Sequence, residues 1–226
     1  MAFIKRKMAL VSALGLACVA NHTMAGVDLQ LDYEVTGYFV DAVNSDQRIN
    51  NSISIEAEYI SRWNNDAMSI SFVPFYRHDE VDSSRSHGDV RELMFNMVSD
   101  EFELNVGIGK VFWGVTESAH LVDIINQTDS VESIDGEQKL GQPMVQLLLE
   151  RDWGNLDVFV LPYHRERTFA GAGARLSAGM DYADAIYESA DEEKNIDVAV
   201  RYNHYWDDIE YAVSLFHGTS REASLG

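Results

Sequence analysis

The chain has 226 residues, with 37 Asp and Glu against 17 Lys and Arg and a formal charge of −20. Such a balance repels nucleic acid and anionic lipid headgroups, so no nucleic-acid partner is expected, and it suits water, cations and neutral solutes. Three prolines and 11% aromatic residues argue against disorder, and a single cysteine, Cys18, excludes a disulfide scaffold.

Residues 1–25 read as a cleaved signal peptide. Lys5, Arg6 and Lys7 form a basic start, Met8 to Ala20 is an apolar run too short to span a bilayer, and Thr23-Met24-Ala25 offers small residues where a signal peptidase cuts. Cleavage after Ala25 takes Cys18 with it and moves the formal charge from −20 to about −23. A lipoprotein reading of Cys18 is weak, because Gly15 stands where a branched aliphatic residue is wanted. The expected organisation is therefore a peptide over 1–25 and one domain over 26–226.

From Val27 the chain alternates with period two. Val27, Leu29, Leu31, Tyr33, Val35, Gly37 and Phe39 interleave with Asp28, Gln30, Asp32, Glu34, Thr36 and Tyr38. The same pattern predicts strands over Ile49–Trp63, Met68–Tyr76, Asp89–Ser99, Phe102–Trp113, Met144–Arg151, Leu156–Tyr163, Ile196–Trp206 and Ile209–His217. These are about nine strands, most of them longer than the roughly 5–6 residues usual in soluble sheets and close to the roughly 9–11 of a tilted membrane strand. No segment after the peptide carries the roughly eighteen consecutive apolar residues of a membrane helix.

Connection length alternates strictly. Asn64-Asn65-Asp66, Asp100-Glu101, Asp152-Trp153-Gly154-Asn155 and Asp207-Asp208 are tight turns, whereas about Asp41–Asp46, His78–Gly88, Gly114–Pro143 and His164–Asn195 are long loops. Short turns at one end and long loops at the other are the mark of an antiparallel up-and-down transmembrane β-barrel. Tyr33, Tyr38, Tyr59, Trp63, Tyr76, Phe112, Trp113, Trp206 and Tyr211 are candidates for its interfacial girdles, although ordinary β-propensity also accounts for them. About nine strands is an odd number, and the run ends in "HGTSREASLG" on the long-loop side. An incomplete barrel, a fragment of a larger one, is the expectation, because open edges are not tolerated in lipid.

In a barrel the apolar phase meets lipid and the other phase faces the lumen. Lumen-lining candidates are Asp32, Glu34, Glu56, Glu58, Arg62, Glu92, Glu103, Glu150 and Arg201, with Asp28, Asp157, Asp197 and Glu210 in the same phase. On this register Arg62 and Arg201 are the only bases, which predicts a bias towards cations. Plain solubilising charges at the rim are the alternative, since a register slip of one residue flips a strand.

The run "GVTESAHLVDIINQTDSVESIDGEQKLGQP" admits three readings. Glu117, His120 and Asp123, at i, i+3 and i+6, could share a helical face and hold a metal, but no H-E-x-x-H, C-x-x-C or full EF-hand spacing accompanies them. Ser118 and His120 stand too close in sequence to make a hydrolytic pair by themselves, and no G-x-S-x-G is present. The third reading is a loop folded into a channel, pinned by Leu121, Val122, Ile124 and Ile125, with Asp123, Asn126, Asp129, Glu132, Asp135 and Glu137 turned to passing solute. An external cap remains its alternative. No cofactor and no metal are expected. In the later loop, Arg165, Arg167 and Arg175 could meet lipopolysaccharide phosphate or cancel charge locally.

The stretch "GKVFWGVTESAHLVDIINQTD", followed by "KLGQPMV", resembles the signature of a group of largely uncharacterised porin-like outer-membrane proteins of Gram-negative bacteria. The matching positions are Gly109, Lys110, Trp113, Gly114, Glu117, Ser118, Ile125, Asn126, Asp129, Pro143, Met144 and Val145, within a match from about Arg91 to Trp153. The resemblance implies a barrel and a channel-like role; it supplies no substrate and no catalytic residue.

The expectation is an exported protein of the cell outer membrane, a porin-like channel for passive diffusion of small hydrophilic solutes. Trp113, Glu117, His120, Asp123, Asn126, Asp129 and Glu132 are its constriction-loop candidates. Its partners would be membrane lipids, lipopolysaccharide and small solutes, with a homotrimer as a candidate assembly. The alternatives are a barrel that binds surfaces through its loops and, less favoured, a barrel enzyme.

Overall fold

The computed structural model describes residues 18–24, 26–40, 48–112, 124–133, 135–172, 174–177, 182 and 184–222. Each alternating run forms a strand, and each strand pairs with its neighbours in sequence. The result is one antiparallel sheet in chain order: β1 (Cys18–Met24), β2 (Val27–Gly37), β3 (Ile49–Trp63), β4 (Met68–Asp79), β5 (His87–Val98), β6 (Glu103–Gly109), β7 (Gln142–Arg151), β8 (Gly154–Leu161), β9 (Asp197–Trp206) and β10 (Ile209–His217). β1 and β10 do not touch, so the sheet is open with an edge at each end. No α-helix occurs among the described residues, only 3-10 turns at Arg175–Ser177 and Glu192–Lys194.

The nine expected strands are present as β2 to β10. β1 is additional and lies in the segment read as the signal peptide; cleavage after Ala25 would leave β2 as the edge. The tight turns bend as their residues suggest: Asn64, Asn65, Asp66 and Asp207 hold positive φ, where short polar side chains are tolerated best.

The sheet is inside-out. On β3, Ser52 and Ser54 are 4% and 2% exposed, while Ile53 and Ile55 between them are 43% and 41% exposed. Across the sheet one face carries Leu31, Tyr33, Tyr59, Trp63, Phe72, Tyr76, Leu93, Val106, Val145, Val160, Val198 and Val213, all exposed. The other, here called the inner face, is mainly polar, with one apolar patch set into it between β5 and β9. There Met94, Met144, Phe159, Leu161 and Ala199 form a buried cluster.

Two irregularities shape the inner face. Pairing of β4 with β5 slips between Val73 and Pro74, so Val73 faces Glu92 and Pro74 faces Val90, leaving Arg91 as the extra residue of a bulge. Pro74 has no N–H for the ladder, and a bulge re-aims the side chain beside it. Arg91 thereby turns inward and is 7% exposed. On β6, Gly107 has φ +146° and a Cβ there would lie 2.0 Å from the Leu93 carbonyl oxygen, so only glycine permits the close approach of β5 and β6.

β6 ends at Gly109 rather than near Trp113 as the alternation predicted. Past Gly109 the backbone finds its partner in a side chain: Val111 N–H donates to Asn126 Oδ1 at 2.8 Å. Ladder pairing is replaced there by the returning loop.

Candidate functional site

Residues 124–133 and 135–141 lie on the inner face, held first by burial. Ile125 is fully buried in the cluster of Met94, Met144, Phe159, Leu161 and Ala199, with Ile124 and Val111 packed against it. Asn126 then satisfies three backbone groups. Besides accepting from Val111, its Nδ2 donates to the carbonyls of Gly109 and Leu140, each at 2.8 Å. Beyond it, Thr128 and Lys139 bridge as a short hairpin.

Charge fixes the rest. Asp129, fully buried, accepts from Arg91 at 2.9 Å and from Thr168 Oγ1 at 2.7 Å. Glu132 lies across the Arg77 guanidinium, taking Nε at 3.0 and 3.1 Å and pairing with Nη2 at 3.0 Å. Arg91 and His87 stand 3.6 and 3.7 Å from the same carboxylate. Arg77 also donates to Ser52 Oγ at 2.7 Å and reaches Glu34 at 3.4 Å. Arg85, from the β4–β5 loop, bonds Glu34 and Asp79 at 3.0 Å each and donates to the Val131 carbonyl. Burial alone would lower the Arg85 pKa, but the bonds to Glu34 and Asp79 outweigh it and hold the guanidinium above its ordinary range. Buried pairs of this kind persist because removing one partner strands the other charge.

The later loop packs on the first. Arg165 pairs with Asp89 at 2.8 Å, Arg167 donates to Ser130, Gly171 N–H donates to Asp82, and Arg175 lies over the Tyr38 ring at 4.4 Å. In the structure these arginines have partners within the chain. At the far side, Arg221 pairs with Asp197 at 2.8 Å, donates to the Ile125 carbonyl at 3.1 Å and stands 2.8 Å from His164 Nδ1. Burial, then the neighbouring Arg221, pushes the His164 pKa down against the pull of Asp197 and Glu166.

A polar cavity of about 420 Å³ opens between loop and sheet, lined by Glu56, Phe75, Arg77, Arg91, Lys110, Glu132, Ser133 and Gln138. Arg91 covers the Phe75 ring at 4.1 Å. Lys110 sits just past β6; burial and then Arg91 lower its pKa, against the attraction of Glu56, Asp129 and Asp89.

The register puts Asp32, Glu34, Glu56, Glu58, Arg62, Glu92, Glu103, Glu150 and Arg201 all on the inner face. They do not form one site. Glu34 joins the ion-pair cluster, Glu56 lines the cavity, Glu92 accepts from Ser71, and the others spread along the strands. Of the loop candidates, Asn126, Asp129 and Glu132 come together; Trp113, Glu117, His120 and Asp123 lie outside the described residues. The three that are described differ from expectation in their contacts. They anchor the loop from buried positions instead of turning to a passing solute. Among the described residues no group of three His, Cys, Asp or Glu could hold a metal ion.

Arg62 and Arg201 are not the only inward bases. Arg77 falls in the phase of Ser69 and Ser71, so the alternation carried its signal. Arg91 depends on the bulge at Pro74, and Arg85 arrives from a loop with no periodicity to read. What the arrangement offers chemically is binding by paired charge and hydrogen bonds over a small polar space. No family model, curated protein or solved structure matches the chain.

Proposed function

We propose that the chain forms part of a porin-like β-barrel of the cell outer membrane, passing small hydrophilic solutes by passive diffusion through a lumen that the 114–143 loop narrows. The observation that carries this reading is the inside-out sheet: exposed Ile53 and Ile55 beside buried Ser52 and Ser54, with the same contrast at Ser71 and Phe72, Asn105 and Val106, and Asp197 and Val198. Water is a poor solvent for a continuous apolar face of this extent, and lipid is a good one. Outward aromatics support it. Tyr76 pairs with Ile55, and from Ile55 to Trp63 the strand runs about 27 Å at a rise of about 3.4 Å per residue. Tilted by about 40°, that spans about 20 Å, close to the roughly 25 Å apolar band of an outer-membrane barrel.

In lipid the edges at β10 and at β1 or β2 need partners, so closure requires further strands. Inner-face acids outnumber bases even with Arg77 and Arg91 counted, which favours cations. The interlocked loops, through Asp129–Thr168 and Asp82–Gly171, favour a second reading, a barrel closed at that end that binds surfaces through its loops.

Conductance across planar bilayers separates the two. The porin reading predicts discrete steps and a reversal potential of cationic sign in a salt gradient. Vesicle-inserted protein with no conductance would favour the closed barrel.

A further inference from the structure

We infer that the cavity between Lys110 and Glu56 is a binding subsite for zwitterionic amino acids. The inference rests on the porin reading for the route by which solute arrives. Its basis is which charges around the cavity are already answered. Arg77 is neutralised by Glu132 and Glu34, and Arg91 by Asp129 and Glu132. Lys110 and Glu56 line the same space, and neither has a hydrogen bond or ion pair among the described residues.

Two opposite charges that share a polar wall without reaching each other match a solute that carries both. A simple anion would meet the Glu56 carboxylate, and a simple cation would meet Lys110. An uncharged polyol would displace water from both charges and leave each without a counter-charge, a loss that binding sites built on polar groups convert into discrimination. Ser133 and Gln138 add hydrogen-bonding groups at the rim. At about 420 Å³ the cavity lies within the range of ligand pockets, roughly 300–1,000 Å³, and has room for a free amino acid.

L-Alanine, L-lactate and glycerol are near equals in size and differ in charge, so they are the probes. With the full chain in planar bilayers, L-alanine should reduce ion current saturably, at a concentration about tenfold lower than lactate or glycerol requires. Lys110→Met and Glu56→Gln should each remove that preference, and Glu56→Gln should shift it towards lactate, since only the cation remains. Equal effects of the three solutes, or an alanine preference that survives both substitutions, would overturn the inference while leaving a channel in place. If no current is seen, the channel reading fails by itself. Calorimetric titration of the detergent-solubilised chain with the same three solutes then decides the subsite: alanine binding lost in both variants supports it, and no alanine binding overturns it.

Discussion

Asn126→Asp isolates the hydrogen bonds that hold the loop. The two side chains are nearly the same shape, so packing around this buried position is kept. Aspartate retains an oxygen for Val111 N–H but loses the amide that donates to Gly109 and Leu140. Each buried carbonyl left without a donor costs about 1–3 kcal/mol, and the carboxylate must also be desolvated or take up a proton. A local destabilisation of about 3 kcal/mol is the working figure, equivalent to about a hundredfold more frequent opening. Amide hydrogen exchange reads this directly. Val111 N–H, and Leu140 N–H, which donates to the Gln127 carbonyl, should exchange about a hundredfold faster in the variant. Amides of the β4–β5 ladder should be unaffected. Exchange at Val111 within about threefold of the parent would refute the claim that Asn126 stands in for a strand at the end of β6.

Other perturbations follow from the same geometry. Gly107→Ala places a Cβ 2.0 Å from the Leu93 carbonyl and should abolish sheet circular dichroism, whereas Gly136→Ala, with φ +83° and open space around it, should cost only about 1 kcal/mol in a urea titration. Glu132→Gln removes the charge that faces Arg77 and Arg91, so cation selectivity read from the reversal potential should fall; an unchanged potential would separate that carboxylate from the conducting path. The fold holds His164 below its ordinary value of 6.5, so the unfolded chain takes up the proton first as pH falls. The stability at stake is fully present above about pH 6.5 and declines as pH drops from there towards the lowered value. His164→Gln should therefore narrow the difference between urea midpoints measured at about pH 7.5 and about pH 5; an identical difference would count against it.

Much of the fold was legible because period two is a strong signal when both faces are demanding. β3, β9 and β10 match their expected ranges within a residue, since isoleucine and valine alternate there with serine, asparagine and acid. The turns were legible through residues that tolerate positive φ. The loop's position could be read only in part. Ile125 announced an apolar anchor, but the Asn126 contacts depend on bringing Gly109 and Leu140 together, which no local pattern encodes. The arginine cluster was the largest omission. One inward base, Arg91, needs a bulge and another, Arg85, a loop, and unbroken alternation encodes neither. Asp129 and Glu132 stand out as loop acids, but no local pattern encodes their partners Arg77 and Arg91.

The central claim is that the apolar face meets lipid and the polar face does not. In a Cys18→Ser background, Ser52→Cys, Ile53→Cys, Ser54→Cys and Ile55→Cys would each carry a nitroxide in protein reconstituted into vesicles. The account predicts alternation: labels at 53 and 55 relax readily with oxygen dissolved in the bilayer, and labels at 52 and 54 do not. Labels at 53 and 55 that respond instead to a water-soluble relaxation agent, with no alternation along β3, would contradict it.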